Sequence, residues 1–291
     1  MTTDSPNPIT NISDTARWVA WYRAVESERR DAHFRDPFAR RLAGEQGEAI
    51  VRSLPSGRRM GWAMVVRTVL LDEMITRLVE QERVDAVLNL AAGLDARPWR
   101  MDLPEHLQWY DVDLPGILET KRRVLADERP RCRLETLAVD LADERARLAL
   151  FAEVGRTHER VVVMTEGLLI YLLPDHVAAL GRDLHAQRSF RWWLTELGSP
   201  ALLRYLERSW APRLRSAKAP FRFAPQEGTA FFTPLGWRET EYRSMWEESF
   251  RLRRTIPNGW FWRLLGRLAP PERQNEVRRF SGVVRLDRVD D

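Results

Sequence analysis

Between residues 86 and 196 the chain alternates short apolar runs with longer amphipathic stretches, and this alternation restricts the fold more than any other feature. The runs at residues 86–90, 108–112, 134–139, 160–165 and 190–196 read as strands separated by helical segments, the pattern of a parallel α/β sheet. The helix after the second run begins at "DLPGILETKRRVLADE", with Asp113 as the expected N-cap and Pro115 in the first turn. Further on, "GWRETEYRSMWEESFRLRR" reads as a strand and a helix, "GWFWRLLGRL" as a helix and "SGVVRLDRV" as a last strand. The expectation is a doubly wound, mostly parallel seven-stranded sheet.

Helices precede the first strand. "DTARWVAWYRAVESERR" offers Asp14 or Thr15 as an N-cap, and Ala16, Val19, Ala20 and Trp21 recur near helical spacing. "DPFARRLAG" and the long apolar "MGWAMVVRTVLLDEMITRLVEQE", with Arg67 in its middle, predict two more helices, while the polar first dozen residues predict a mobile tail. The organisation expected is one structural domain: residues 1–83 form a tail and helical cap, and residues 84–291 form a Rossmann-like core. A helical lid is expected as an insertion at residues 198–235, where the alternation stops.

Composition excludes several functions. The formal charge of +4 is carried almost wholly by arginine, with Lys121 and Lys218 the only lysines and acids interspersed throughout, so a solvated surface is expected and not a nucleic-acid stripe. Cys132 is the only cysteine, and no His, Cys and carboxylate cluster has metal-ligand spacing, so no metal is expected. "MTTDSPNP" lacks the pattern of a signal peptide, and "VVVMTEGLLIYLL" is too short for a membrane span and broken by Glu166. A cytoplasmic protein is expected.

In an open α/β sheet, ligands bind beyond the carboxyl ends of the strands. Those ends carry Gly93 in the first turn, Asp113 twenty positions later, Asp140 in "AVDLAD" and Glu166 in "MTEGLLIYL". A dinucleotide needs its pyrophosphate cradled by a glycine-rich turn, and extra carboxylates would repel it. The turn here is Ala91, Ala92, Gly93, Leu94, Asp95. S-adenosylmethionine has no phosphate and carries a sulfonium, an ammonium and a ribose diol, which carboxylates suit.

"NLAAGLDARPWRMDLP", "YDVDLPGILETK", "AVDLAD" and "TEGLLIYL", together with "RAVES", "DPFARRL" and "VVRTVLLDEMI", resemble the leucine carboxyl methyltransferase family of class I S-adenosylmethionine-dependent methyltransferases. That family includes bacterial O-methyltransferases of natural products. The resemblance implies that Arg67 and Arg23 hold the cofactor's carboxylate, Gly93 passes its methionine part, and Asp113 takes the ribose. It further implies that Asp140 and Leu141 border the adenine, Glu166 faces the amino-acid end, and Tyr171 lines the methyl-transfer cavity. The sequence departs from the common family form in having Ala91 where a glycine is usual and Ala96 where a threonine is usual.

A carboxylate acceptor would need no base, whereas a phenol or alcohol would be helped by one. Among His33, His106, His158, His176 and His185, only His176 lies near the strand-end residues in sequence, and the start of a helix is the expected place for it. The absence of a convincing base favours a small carboxylic acid or acidic phenol as acceptor. Trp210, Phe221, Phe223, Phe231 and Phe232 could form a lid or ordinary core. Two other classes stay open: a catalytically silent cofactor-binding module, on account of Ala91, and a nicotinamide-dependent oxidoreductase. Oligomeric state is not legible.

Overall fold

The central apolar runs are strands because they are buried on both faces. β1 (Ala86–Leu90) and β4 (Val161–Thr165) have no exposed residue, as expected for central parallel strands covered by helices on either side. With β2 (Gln108–Asp113), β3 (Arg133–Ala138), β5 (Phe190–Gly198), β6 (Trp237–Ser244) and β7 (Ser281–Arg288) they form one seven-stranded sheet, in the order β3-β2-β1-β4-β5-β7-β6. β7 inserts antiparallel between β5 and β6; the other six strands all run in one direction. This is the doubly wound, Rossmann-like sheet expected, and its winding reverses between β1 and β4.

The computed structural model describes residues 14–53, 57–216 and 220–290, so the expected N-terminal tail lies outside the described residues, as does the side chain of Trp210. The helices are α1 (Asp14–Ser27), α2 (Ala39–Ser53), α3 (Gly57–Gln81), α4 (Arg97–Arg100), α5 (Pro115–Val124), α6 (Glu144–Thr157), α7 (Pro174–His185), α8 (Pro200–Ser216), α9 (Met245–Arg251), α10 (Gly259–Arg267) and α11 (Pro271–Arg278). A 3-10 turn at Leu169–Tyr171 follows β4, and a longer 3-10 segment, Gly228–Leu235, follows α8. The second predicted helix does not end at Gly44. The chain kinks there at φ 58° and then resumes to Ser53, because glycine enters the left-handed region without a Cβ clash.

Alternation along each strand divides the core. Leu88, Leu90 and Val163 face α6 and α7 through Phe151, Val177 and Leu184, while Val87, Val162 and Met164 face α3 through Leu70, Met74 and Leu78. A third cluster joins α1 and α2 to the first turn through Trp18, Tyr22, Leu42, Trp99 and Ile117. Trp193 and Trp237 pack edge to face at 5.6 Å, and each finds an acceptor for its indole N–H: Thr165 Oγ1 and the Gly181 carbonyl, both at 2.9 Å. The N-terminal helices thus reach the sheet on the side where β1 and β4 end.

Candidate active site

A cavity of about 1770 Å³ lies over the carboxyl edge of the sheet, and every residue singled out from the sequence lines it: Arg23, Arg67, Ala91, Gly93, Asp113, Asp140, Leu141, Glu166 and Tyr171. Its floor is the turn after β1. Ala91 and Gly93 both adopt positive φ, 56° and 50°. At Gly93 the missing Cβ also matters for space, since one placed there would sit 3.1 Å from Ala16 Cβ of α1. Ala91 takes the left-handed conformation that glycine reaches more easily, at a cost of roughly 1–2 kcal/mol for an L-residue.

Asp113 does not cap α5. It is the last residue of β2; Leu114 occupies the N-cap position and Pro115 starts the helix. Its carboxylate instead accepts the Gly93 N–H at 2.6 Å through Oδ2 and the Leu114 N–H at 2.7 Å through Oδ1, tying the two turns together. Burial raises its pKa, and those two amides oppose the rise. One strand further out, Asp140 is exposed and accepts the Ala142 N–H at 2.9 Å. Arg147 grips the neighbouring Leu141 carbonyl at 2.7 Å while paired with Asp183.

The opposite end of the cavity is a lattice of buried charges. Arg97 Nη1 lies 2.6 Å from Asp95 and 2.7 Å from Glu166, and its Nε lies 2.7 Å from Asp72. Arg100 takes the other oxygen of Asp72 at 2.7 Å. Arg67 Nε approaches Glu166 Oε1 to 2.9 Å and Nη1 approaches Glu196 Oε1 to 3.7 Å. The Arg67 Nε–H, shut off from solvent, has no acceptor in line with it. Burial alone would raise the Asp95 and Glu166 pKa values, but Arg97 leads neighbouring cations in holding both carboxyls below their ordinary range. Glu196 moves the other way: burial raises it, Glu166 adds to the rise, and Arg67 only partly opposes it. Tyr171 is pushed up to about 12 by burial and packs its ring 5.5 Å from Phe221.

Arg23 lines the cavity with its guanidinium engaged, Nε to Asp36 at 2.8 Å and Nη2 to the Leu94 carbonyl at 2.6 Å. It tethers α1 to the first turn. Below the turn, Lys121 and Asp111 pair at 2.8 Å, and Lys121 also holds the Asp95 carbonyl at 2.8 Å. Asp95, its carboxylate paired with Arg97, is no free negative charge against a phosphate. A stronger obstacle to a pyrophosphate is that α4, the helix entered from this turn, is only four residues long.

Sequence reasoning missed the Asp72, Asp95, Arg97 and Arg100 lattice, Lys121 and Glu196. The signal for Glu196 was present, because it closes the predicted fifth strand. His176 is exposed in the first turn of α7, as expected. Phe221 and Phe223 line the cavity, whereas Phe232 is fully buried core against Trp193. The loop bearing Phe221 is pinned by the N–H groups of Arg222 and Phe223, which donate to the Ile170 carbonyl beside Tyr171.

The leucine carboxyl methyltransferase family profile matches residues 16–185. A Frankia alni protein is 33% identical over 242 residues, covering 77% of this chain and 82% of the relative. A Streptomyces avermitilis protein is 37% identical over 186 residues, covering 60% of this chain and 64% of its own. Both carry the name "Putative S-adenosyl-L-methionine-dependent methyltransferase". In fold, the chain is similar to the crystal structure of a DUF574 family protein from Streptomyces avermitilis, with TM-score 0.57 and 13% identity, covering 94% of this chain and 97% of that one. The sheet, its helical cover and the strand-edge cavity define a Rossmann-like α/β protein. This chain belongs to the leucine carboxyl methyltransferase family.

Proposed function

We propose that the protein is a cytoplasmic S-adenosylmethionine-dependent O-methyltransferase acting on a carboxylate or acidic hydroxyl of a small, aromatic or apolar molecule. The observation that carries this is the charge balance at the β1, β4 and β5 ends. Three guanidinium groups (Arg67, Arg97, Arg100) face four carboxylates (Asp72, Asp95, Glu166, Glu196), leaving one excess negative charge when all are ionised. S-adenosylmethionine carries one net positive charge, whereas a dinucleotide is anionic. Bound there, it would supply an electrophilic methyl group.

The donor set fits that ligand. Asp113, fixed by two backbone amides, retains lone pairs for a ribose diol, and Asp140 with Leu141 flanks the adenine position. Arg67, whose Nε–H lacks an aligned acceptor, would take the ligand's carboxylate, and Glu166 its ammonium. Gly93 and Ala91 would let the methionine part lie close to the backbone. Ala91 already holds the left-handed turn, so it gives no support to a silent binding module. Tyr171, Phe221 and Phe223 would wall off water, and with residues 200–206 of α8 would serve as the lid. A dry cavity favours reactions that merge charge.

Calorimetric titration of the purified chain with S-adenosylmethionine, S-adenosylhomocysteine and NADH tests the proposal. Micromolar binding of the two adenosyl ligands alone is expected. Binding of NADH in their place would overturn it.

A further inference from the structure

Glu196 adds its charge to this end of the cavity but makes no contact in the set that would hold the adenosyl ligand. It stands near the carboxyl end of β5, one strand beyond β4 and on the side away from β1, β2 and β3. With Asp113 and Asp140 at the β2 and β3 ends and Glu166 at β4, the adenosyl ligand would run from β3 to β4. Strands are about 4.8 Å apart, so β5 lies under the next occupant of the cavity. The cavity does continue that way, past Ser199, Tyr205, Tyr242, Trp246 and Phe280. That is where a methyl acceptor would sit.

Glu196 Oε1 accepts the Gly167 N–H at 2.6 Å and faces Arg67, but Oε2 is out of solvent and receives no hydrogen bond. Leaving such a buried acceptor unmet is destabilising, more so when it is charged. The side chain as a whole lines the cavity and is 18% exposed there, so a turn of its carboxylate toward a donor arriving with the acceptor molecule would remove that cost. A carboxylate acceptor brings only lone pairs and a negative charge, against Glu196 and Glu166 together. A hydroxyl brings the missing donor.

We infer, on the basis of the methyltransferase reading, that the acceptor is a hydroxyl compound, specifically a phenol, and that Glu196 Oε2 accepts its O–H hydrogen bond and removes its proton. The acceptor's oxygen–carbon bond forms as the methyl carbon–sulfur bond breaks, and that electron pair stays on sulfur. The O–H proton passes to Glu196 and then to water as product leaves. Burial first, then repulsion by Glu166, makes Glu196 a stronger base than an ordinary glutamate, with Arg67 partly offsetting both. Tyr171, the other titratable group facing it, stays a neutral phenol at neutral pH. Glu196 thus supplies the base that no histidine provides.

Two matched probes, 2-naphthol and 2-naphthoic acid, test the inference on the full chain. Wild-type protein loaded with S-adenosylhomocysteine should bind naphthol at least about tenfold more tightly than naphthoate. With labelled S-adenosylmethionine, it should form the methyl ether. Glu196→Gln should lower naphthol turnover by about 100-fold or more, the range of general-base effects. It should also narrow the preference against naphthoate, while S-adenosylhomocysteine affinity stays within about threefold. Preference for naphthoate, failure of naphthol to bind or react, or undiminished turnover in Glu196→Gln would overturn the inference. The wild-type choice between probes decides even if the variant does not fold. Failure of wild-type protein to bind S-adenosylhomocysteine would instead remove the methyltransferase reading itself.

Discussion

The two ends of the cavity hold their carboxylates by different means. Over β2 and β3, Asp113 and Asp140 are fixed by backbone N–H groups, and Asp140 remains exposed. Over β1, β4 and β5, buried Asp95 and half-buried Glu166 are fixed by the side chains of Arg97 and Arg67, themselves buried. A backbone amide holds an acid without adding a second charge to the interior. A guanidinium must itself be desolvated, so its removal strands several anions at once. The first end can therefore change with consequences confined to ligand binding, while the second is part of what folds the protein.

Arg97→Met would break this contrast most severely if it proved harmless. Asp72, Asp95 and Glu166 would lose a shared partner, and a loss of about 3–5 kcal/mol is expected in denaturant unfolding. The acid limb of stability sharpens the same point. Asp95 and Glu166 titrate below their ordinary range, so their contribution is present above the unfolded values of about 3.9–4.3 and lost as pH falls through the lower folded values. Arg97→Met should move the acid unfolding midpoint, followed by circular dichroism, to higher pH. Ala91→Gly should stabilise by about 1 kcal/mol, by relieving the left-handed alanine against a modest entropy cost. Asp140→Ala should change stability by no more than about 0.5 kcal/mol, as an exposed substitution, which differential scanning calorimetry would resolve from the Arg97 effect.

How much of this was legible in the sequence follows the range of the interactions. The strands of the parallel sheet were readable to within a residue or two, because burial on both faces writes a local apolar run in the central strands and alternation marks the edge strand β3. α11 was not, since none of its residues is buried and it carries no apolar stripe. The strand-end acids were readable as positions, but not their partners: Arg97 and Glu166 are 69 residues apart, and only the sheet brings them together. Asp113 was misjudged as a cap because Asp before Leu-Pro fits that role locally, while its actual partner, the Gly93 amide, lies 20 residues back. Glu196 was not legible as a site residue because it lies within its strand and not after it: β5 runs two residues further than its apolar pattern suggests.

The central claim is that the strand-edge cavity holds an adenosyl ligand with its ribose on Asp113. Calorimetric titration of S-adenosylhomocysteine into wild type and Asp113→Ala, with unfolding curves for both, tests it most directly. The variant should stay folded and bind at least about tenfold more weakly, the effect of losing a buried polar contact of about 1–3 kcal/mol. Equal affinity in the two proteins would contradict the claim and place the ligand elsewhere.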